Sequence, residues 1–114
     1  MKITINELEE YLFDHYKNGG VDQSLFMKLV EEIGEVAEVL NKKAGRKFAG
    51  QDDLQAQLGN ELADVIHYTI AIAALNGIDM NDVIISKDKT ASIKYSHRIN
   101  LEKFVKDCRT NDNE

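Results

Sequence analysis

The sequence predicts an all-α protein, a protomer built as a four- to five-helix bundle, and three observations carry that expectation. No proline occurs in 114 residues. Glycines punctuate long segments in which apolar side chains recur every three or four positions. One of those segments, NELADVIHYTIAIAAL at 60–75, is apolar on nearly every side. A helix of that kind must be covered on several faces.

Taken in order, Asn6 is the expected N-cap of a first helix, with Glu9 at N3 and Leu8, Tyr11, Leu12 and Tyr16 inward. Gly19-Gly20 stops it. A second helix is expected from Asp22 or Ser24 to about Lys43. Its stripe is Leu25, Leu29, Ile33, Val36, Ala37 and Leu40, with Glu31, Glu32, Glu35 and Glu38 along one flank and Glu32 at the stripe's border. The connection at 41–53, NKKAGRKFAGQDD, is polar. With Lys42, Lys43, Arg46 and Lys47 it reads either as a solvated loop or as a flexible basic flap beside an anionic ligand.

The third helix is expected from about Asp53 to Asn76, with a stripe of Leu54, Leu58, Val65, Tyr68, Thr69 and Ile72. Gly77 is its C′ residue and Ile78 its hydrophobic follower. Asp79 caps a fourth helix that packs Met80, Val83, Ile84 and Ile93. A short terminal helix from Asn100 to Cys108 adds Leu101, Phe104 and Val105, and residues 109–114 look frayed. The whole chain is expected to be a single helical domain. So short a chain covers its third helix poorly, which points to a homodimer or homotetramer.

Composition narrows the function classes. With 43% hydrophobic and 30% charged residues, the balance is that of an ordinary soluble protein. No window reaches 18 uncharged apolar residues, so no membrane partner is expected. A formal charge of −6 argues against a nucleic-acid polymer as partner. The opening MKITINELEE lacks an apolar signal core. One cysteine, Cys108, fits a reducing compartment, so a cytoplasmic location is expected.

The chemistry is in the acids. At about 100° per residue, Glu61 lies about 20° from the axis of the third stripe and Asp64 about 60° further round. A carboxylate on a core-facing stripe is costly unless its charge is compensated. Glu32-x-x-Glu35 and Glu61-x-x-Asp64 are each spaced i, i+3, with 25 residues between Glu35 and Glu61. On antiparallel helices the two pairs can face each other. Two such charges about 4 Å apart repel by roughly 4 kcal/mol at an effective dielectric near 20. Either some acids are protonated or cations sit among them. Oxygen donors without His or Cys favour Mg²⁺, or Mn²⁺, over zinc.

With both acid motifs in place, KLVEEIGEVAEVL and LGNELADVIHYTIAIAALNGIDMNDVI together resemble the all-α nucleoside triphosphate pyrophosphohydrolases of the MazG type. Their signature is E-x-x-E, a gap, then E-x-x-D, and the resemblance covers residues 25 to 95. It implies a tightly intertwined helical dimer, in some cases a dimer of dimers. It also implies cleavage of a nucleoside triphosphate between the α- and β-phosphates, in a role clearing unwanted nucleotides. Carried over, Glu32, Glu35, Glu61 and Asp64 hold magnesium, and Glu31 or Glu35 handles the attacking water. The basic helix after the second motif gives Lys87, Lys94 and Tyr95 as phosphate-binding residues, with Arg46 of the flap. Ala91 stands where the family commonly has Asn.

Three other readings compete. Phosphoribosyl-ATP pyrophosphatase shares the acidic helices, but its gap is usually shorter and its Tyr-His order is the reverse of His67-Tyr68. A non-catalytic dimerisation module would leave the acids as a solvated face, which the position of Glu61 opposes. Asp64-x-x-His67 has no second copy that would complete a di-iron site, so His67 is expected to be structural, at a helix or subunit contact.

Overall fold

The computed structural model describes residues 1–50 and 53–112. Gln51 and Asp52 of the connection, and Asn113 and Glu114 of the tail, lie outside the described residues. Five helices follow in order: α1 Ile5–Tyr16, α2 Asp22–Lys43, α3 Leu54–Leu75, α4 Met80–Lys94 and α5 Leu101–Asp112. Among the described residues there is no strand. Among the described residues no single helix is long and apolar enough to cross a membrane. The chain divides into two compact units, residues 1–78 and 79–114.

In the first unit α3 packs against both α1 and α2. The start of α1 differs from expectation. Thr4, not Asn6, is the N-cap: its hydroxyl accepts the Glu7 N–H at 3.1 Å and the Glu7 carboxylate accepts the Thr4 N–H at 2.8 Å. Thr-x-x-Glu satisfies two otherwise orphaned donors reciprocally. Thr4→Ala should therefore lower stability by about 1 kcal/mol, seen as a reduced urea midpoint at unchanged slope. Leu12 is fully buried. Tyr11, expected inward, is 65% exposed, because α3 covers only the Leu8–Leu12–Tyr16 line.

Along α2 the buried line is rotated from the expected stripe. Leu25 and Val39 are buried while Ile33, Ala37 and Leu40 are exposed. At about 100° per residue, Leu25, Val36 and Val39 all fall within about 40° of Glu32. Glu32 therefore lies on the packed line rather than at its border. The apolar surface of α2 is wider than α3 can cover, and Phe26, Val30, Ile33, Ala37 and Leu40 remain exposed at helical spacing.

The buried residues of α3 are Ile70, Ala71 and Ala73, off the expected stripe, and Thr69 is exposed. Two neighbours explain this. The stripe through Glu61 meets α2, and part of the remaining surface meets α1. Asp53 caps α3 by accepting the Ala56 N–H at 3.0 Å. At the other end the Gly77 N–H bonds to the Ala74 carbonyl at 3.2 Å and the Ile78 N–H to the Ala73 carbonyl at 3.0 Å. With φ +67° at Gly77, this is a Schellman closure.

In the second unit Asp79 caps α4 by accepting the Asn81 N–H at 2.9 Å. Asp88 on α4 accepts the Leu101 N–H at 2.7 Å, tying the start of α5 to its neighbour. Lys89 and Lys106 both pair with Glu102, and their hydrogen bonds and charge pull its carboxyl down to about 2. Ile93 was expected inward but is 83% exposed, and Phe104 is also exposed. The helix α5 runs on to Asp112 rather than fraying after Cys108.

Candidate active site

The packing of α2 on α3 brings three acids together. Carboxylate oxygens of Glu32, Glu61 and Asp64 all lie within 4.8 Å of one another. Glu61 and Asp64 are one turn apart on α3, so their side chains leave the helix on neighbouring paths. Glu32 comes from the facing line of α2, and both Glu32 and Glu61 are half-buried. The Glu32 carboxyl is pushed up to about 7. A hydrogen bond with Glu61 is the main cause, followed by burial and by the negative charge of Asp64. Without a cation the cluster is relieved by a proton shared between Glu32 and Glu61.

The donor set suits a hard divalent cation: three carboxylates, no thiolate and no imidazole, within the span of one coordination sphere. Glu35 is not part of the group. It is exposed one turn along α2, and it has no ion pair or hydrogen bond among the described residues. Glu31, also exposed, meets the Lys28 ammonium at 3.4 Å. Of the four acids expected to converge, three do.

The basic residues distribute over two places. Arg46 is in the connection after α2, where its N–H bonds to the Asn41 carbonyl at 3.0 Å and its side chain is exposed. Lys87 and Lys94 lie on one face of α4 with Ala91 between them, and Tyr95 is the C-cap residue of that helix. The Lys94 ammonium sits 5.3 Å from the centre of the Tyr95 ring. These three belong to the second compact unit.

One link between helices has no counterpart in any sequence motif. The Tyr16 hydroxyl and His67 Nε2 share a hydrogen bond of 2.7 Å, and Tyr16, His67 and Tyr68 form a chain of edge-to-face rings. His67 is thus a helix-contact residue joining α3 to α1, the role expected for it. Burial pushes the Tyr16 phenol up from its usual value. The only signal in the sequence was the placement of Tyr16 on the inner side of α1.

The MazG nucleotide pyrophosphohydrolase domain matches residues 21–100. Over 76 residues the chain is 36% identical to dCTP pyrophosphatase 1 of Rattus norvegicus, covering 64% of this chain and 45% of that protein. The protein of the same name from Mus musculus is 34% identical over the same length. The chain therefore spans about half the length of these curated relatives. A crystal structure of iMazG from Vibrio DAT 722 superposes with a TM-score of 0.59 at 24% identity, over 82% of this chain and 98% of that one. That likeness speaks for the fold. The family match runs through both acid motifs and the helices that bring them together, and the chain belongs to the MazG nucleotide pyrophosphohydrolase domain family.

Proposed function

We propose that the chain, acting as one MazG-type domain, hydrolyses nucleoside triphosphates between the α- and β-phosphates with Mg²⁺, releasing a nucleoside monophosphate and pyrophosphate. The observation that carries the reading is the convergence of Glu32, Glu61 and Asp64 to within 4.8 Å from two helices. The family match adds the reaction class, and the dCTP pyrophosphatase relatives suggest a deoxynucleoside triphosphate. Removal of unwanted nucleotides is the role that fits.

Glu32, Glu61 and Asp64 would hold the cation. Once bound, it supplies Lewis-acid polarisation of the phosphate oxygens and neutralises their charge. Glu35, adjacent yet unengaged, is the better placed of the two candidates to accept the proton of the attacking water, since Glu31 faces Lys28. As water adds to the α-phosphorus, the bridging bond to the β-phosphate breaks and pyrophosphate leaves. Arg46 in the first unit, and Lys87, Lys94 and Tyr95 in the second, are proposed as phosphate-binding residues, since cations stabilise charge that develops on a leaving phosphate. The exposed line Phe26, Val30, Ile33, Ala37 and Leu40 on α2, with Ile66 on α3, supports self-association as a homodimer or homotetramer.

A panel of deoxy- and ribonucleoside triphosphates that includes dCTP, incubated with protein and Mg²⁺, should yield pyrophosphate and monophosphate. Release of orthophosphate from the same panel would sink the reading.

A further inference from the structure

We infer that Phe48 is the nucleobase-stacking residue of this site, presented by a basic flap that Lys47 folds back toward the acids. The inference rests on the proposed reaction and adds a base subsite to it.

The flap has an unusual composition for an acidic chain. From Val39 to Gln51 there is no acid, and Lys42, Lys43, Arg46 and Lys47 supply four cations. Phe48 stands among them with 90% of its surface exposed. A large apolar ring held in water inside a cationic loop has no role in the core of this unit. An aromatic face beside cations is, however, a pairing by which proteins hold unpaired nucleotides: the ring stacks on the base and the cations meet the phosphates.

A surface ion pair joins the flap to α2. The Lys47 ammonium meets the Glu38 carboxylate at 2.6 Å, which turns the chain back along α2 from Lys43 by five residues, about 7.5 Å of helix rise. Glu38 is six residues beyond Glu32, about 9 Å along the axis. At about 100° per residue it shares a flank with Glu31 and Glu35. The hydrogen bond from Lys43 to Gln55 at 3.1 Å ties the end of α2 to the start of α3 beside the flap. Phe48 follows directly on the anchored lysine. Along the axis of α2 the anchoring Glu38 thus stands about 9 Å from Glu32 and about 120° round the helix from it, on the side of Glu35, a rise of the order of the span from phosphate to base in one nucleotide. The net charge of −6 favours a single nucleotide over a polymer at this flap.

The test compares dCTP with 2-deoxyribose 5-triphosphate, which carries the same phosphates and sugar but no base. Phe48→Ala should raise KM for dCTP about tenfold with kcat little changed, and leave KM for the base-free triphosphate unchanged. Phe48→Trp should restore the dCTP value. Binding of dCMP by calorimetry reads the same subsite without turnover and should weaken by a similar factor. Equal effects on the two triphosphates, or none on either, overturn the inference. A changed oligomeric state at unaltered dCMP affinity does so too, because Phe48 would then be covered by a second copy. Failure of the wild-type protein to release pyrophosphate counts against the proposed reaction instead, and the dCMP arm still decides the role of Phe48.

Discussion

Glu61→Gln is expected to reduce pyrophosphate release by roughly a hundred- to a thousandfold, the range for losing one preorganised electrostatic group in a site, while making the metal-free protein more stable. The two effects have one origin. Glu61 shares a hydrogen bond with Glu32 that exists only because Glu32 is held protonated to about pH 7. An amide at position 61 keeps the shape, donates to an ionised Glu32, and removes a like charge from a cluster confined to 4.8 Å. It also removes one of the three carboxylates proposed to hold the cation. Glu35→Gln separates the two effects: it should lose activity but leave the metal-free melting temperature where it is, because Glu35 stands outside the cluster. Thermal melting without metal, set beside a pyrophosphate assay with Mg²⁺, reads both. Turnover that survives Glu61→Gln would refute the mechanism.

Magnesium itself should raise the melting temperature by about 10 °C at a hundredfold excess over its dissociation constant, since a ligand that binds only the folded state stabilises by mass action. The size of the rise should depend on pH. In the folded protein the Glu32 carboxyl is raised from 4.5 to about 7, so the metal-free fold holds on to a proton that the unfolded chain releases. The associated stability is fully present below about pH 4.5 and is lost as pH rises through about 7. Glu102 acts in the opposite sense at lower pH. Its carboxyl is drawn from 4.5 down to about 2, so its contribution is present above about 4.5 and lost as pH falls toward 2. Metal-free melting temperatures should decline between pH 5 and 8, and saturating Mg²⁺ should flatten that decline. A profile indifferent to Mg²⁺ and Mn²⁺ would count against the cluster as a cation site.

The helices could be read from sequence because local signals coincide with their ends. Asp53 and Asp79 cap α3 and α4, and Gly77 closes α3, each where a short polar side chain or a positive φ is required. The start of α1 was misplaced because Asn6-x-x-Glu9 and Thr4-x-x-Glu7 offer the same capping chemistry two residues apart, and only the structure decides between them. Burial was harder to read than boundaries. A periodic stripe gives the mean direction of apolar residues, but the covered face is set by the neighbour. On α2 the difference is enough to move Glu32 from the border of the packed line to its middle and to leave Ile33 outside it. On α3, Ile70 and Ala71 are buried by a second neighbour that the pattern along one helix does not reveal. Three of the four acids were recognisable as a group because i, i+3 spacing fixes a common side. Glu35 was placed with them by the same rule, yet its path from α2 leads away from the α3 acids. The Tyr16–His67 bond joins residues 51 apart, which no local pattern encodes.

The packed line of α2 runs Leu25, Glu32, Val36, Val39, apolar except at the one position that faces Glu61. A leucine at 32 would complete it and give a better helix pair without any chemistry. The junction of the two longest helices is thus a place where folding and the proposed catalysis make opposing demands on a single residue, a stability–activity trade-off. Relatives that have lost the reaction while keeping the fold should show the release of that tension first at position 32, and next at position 61.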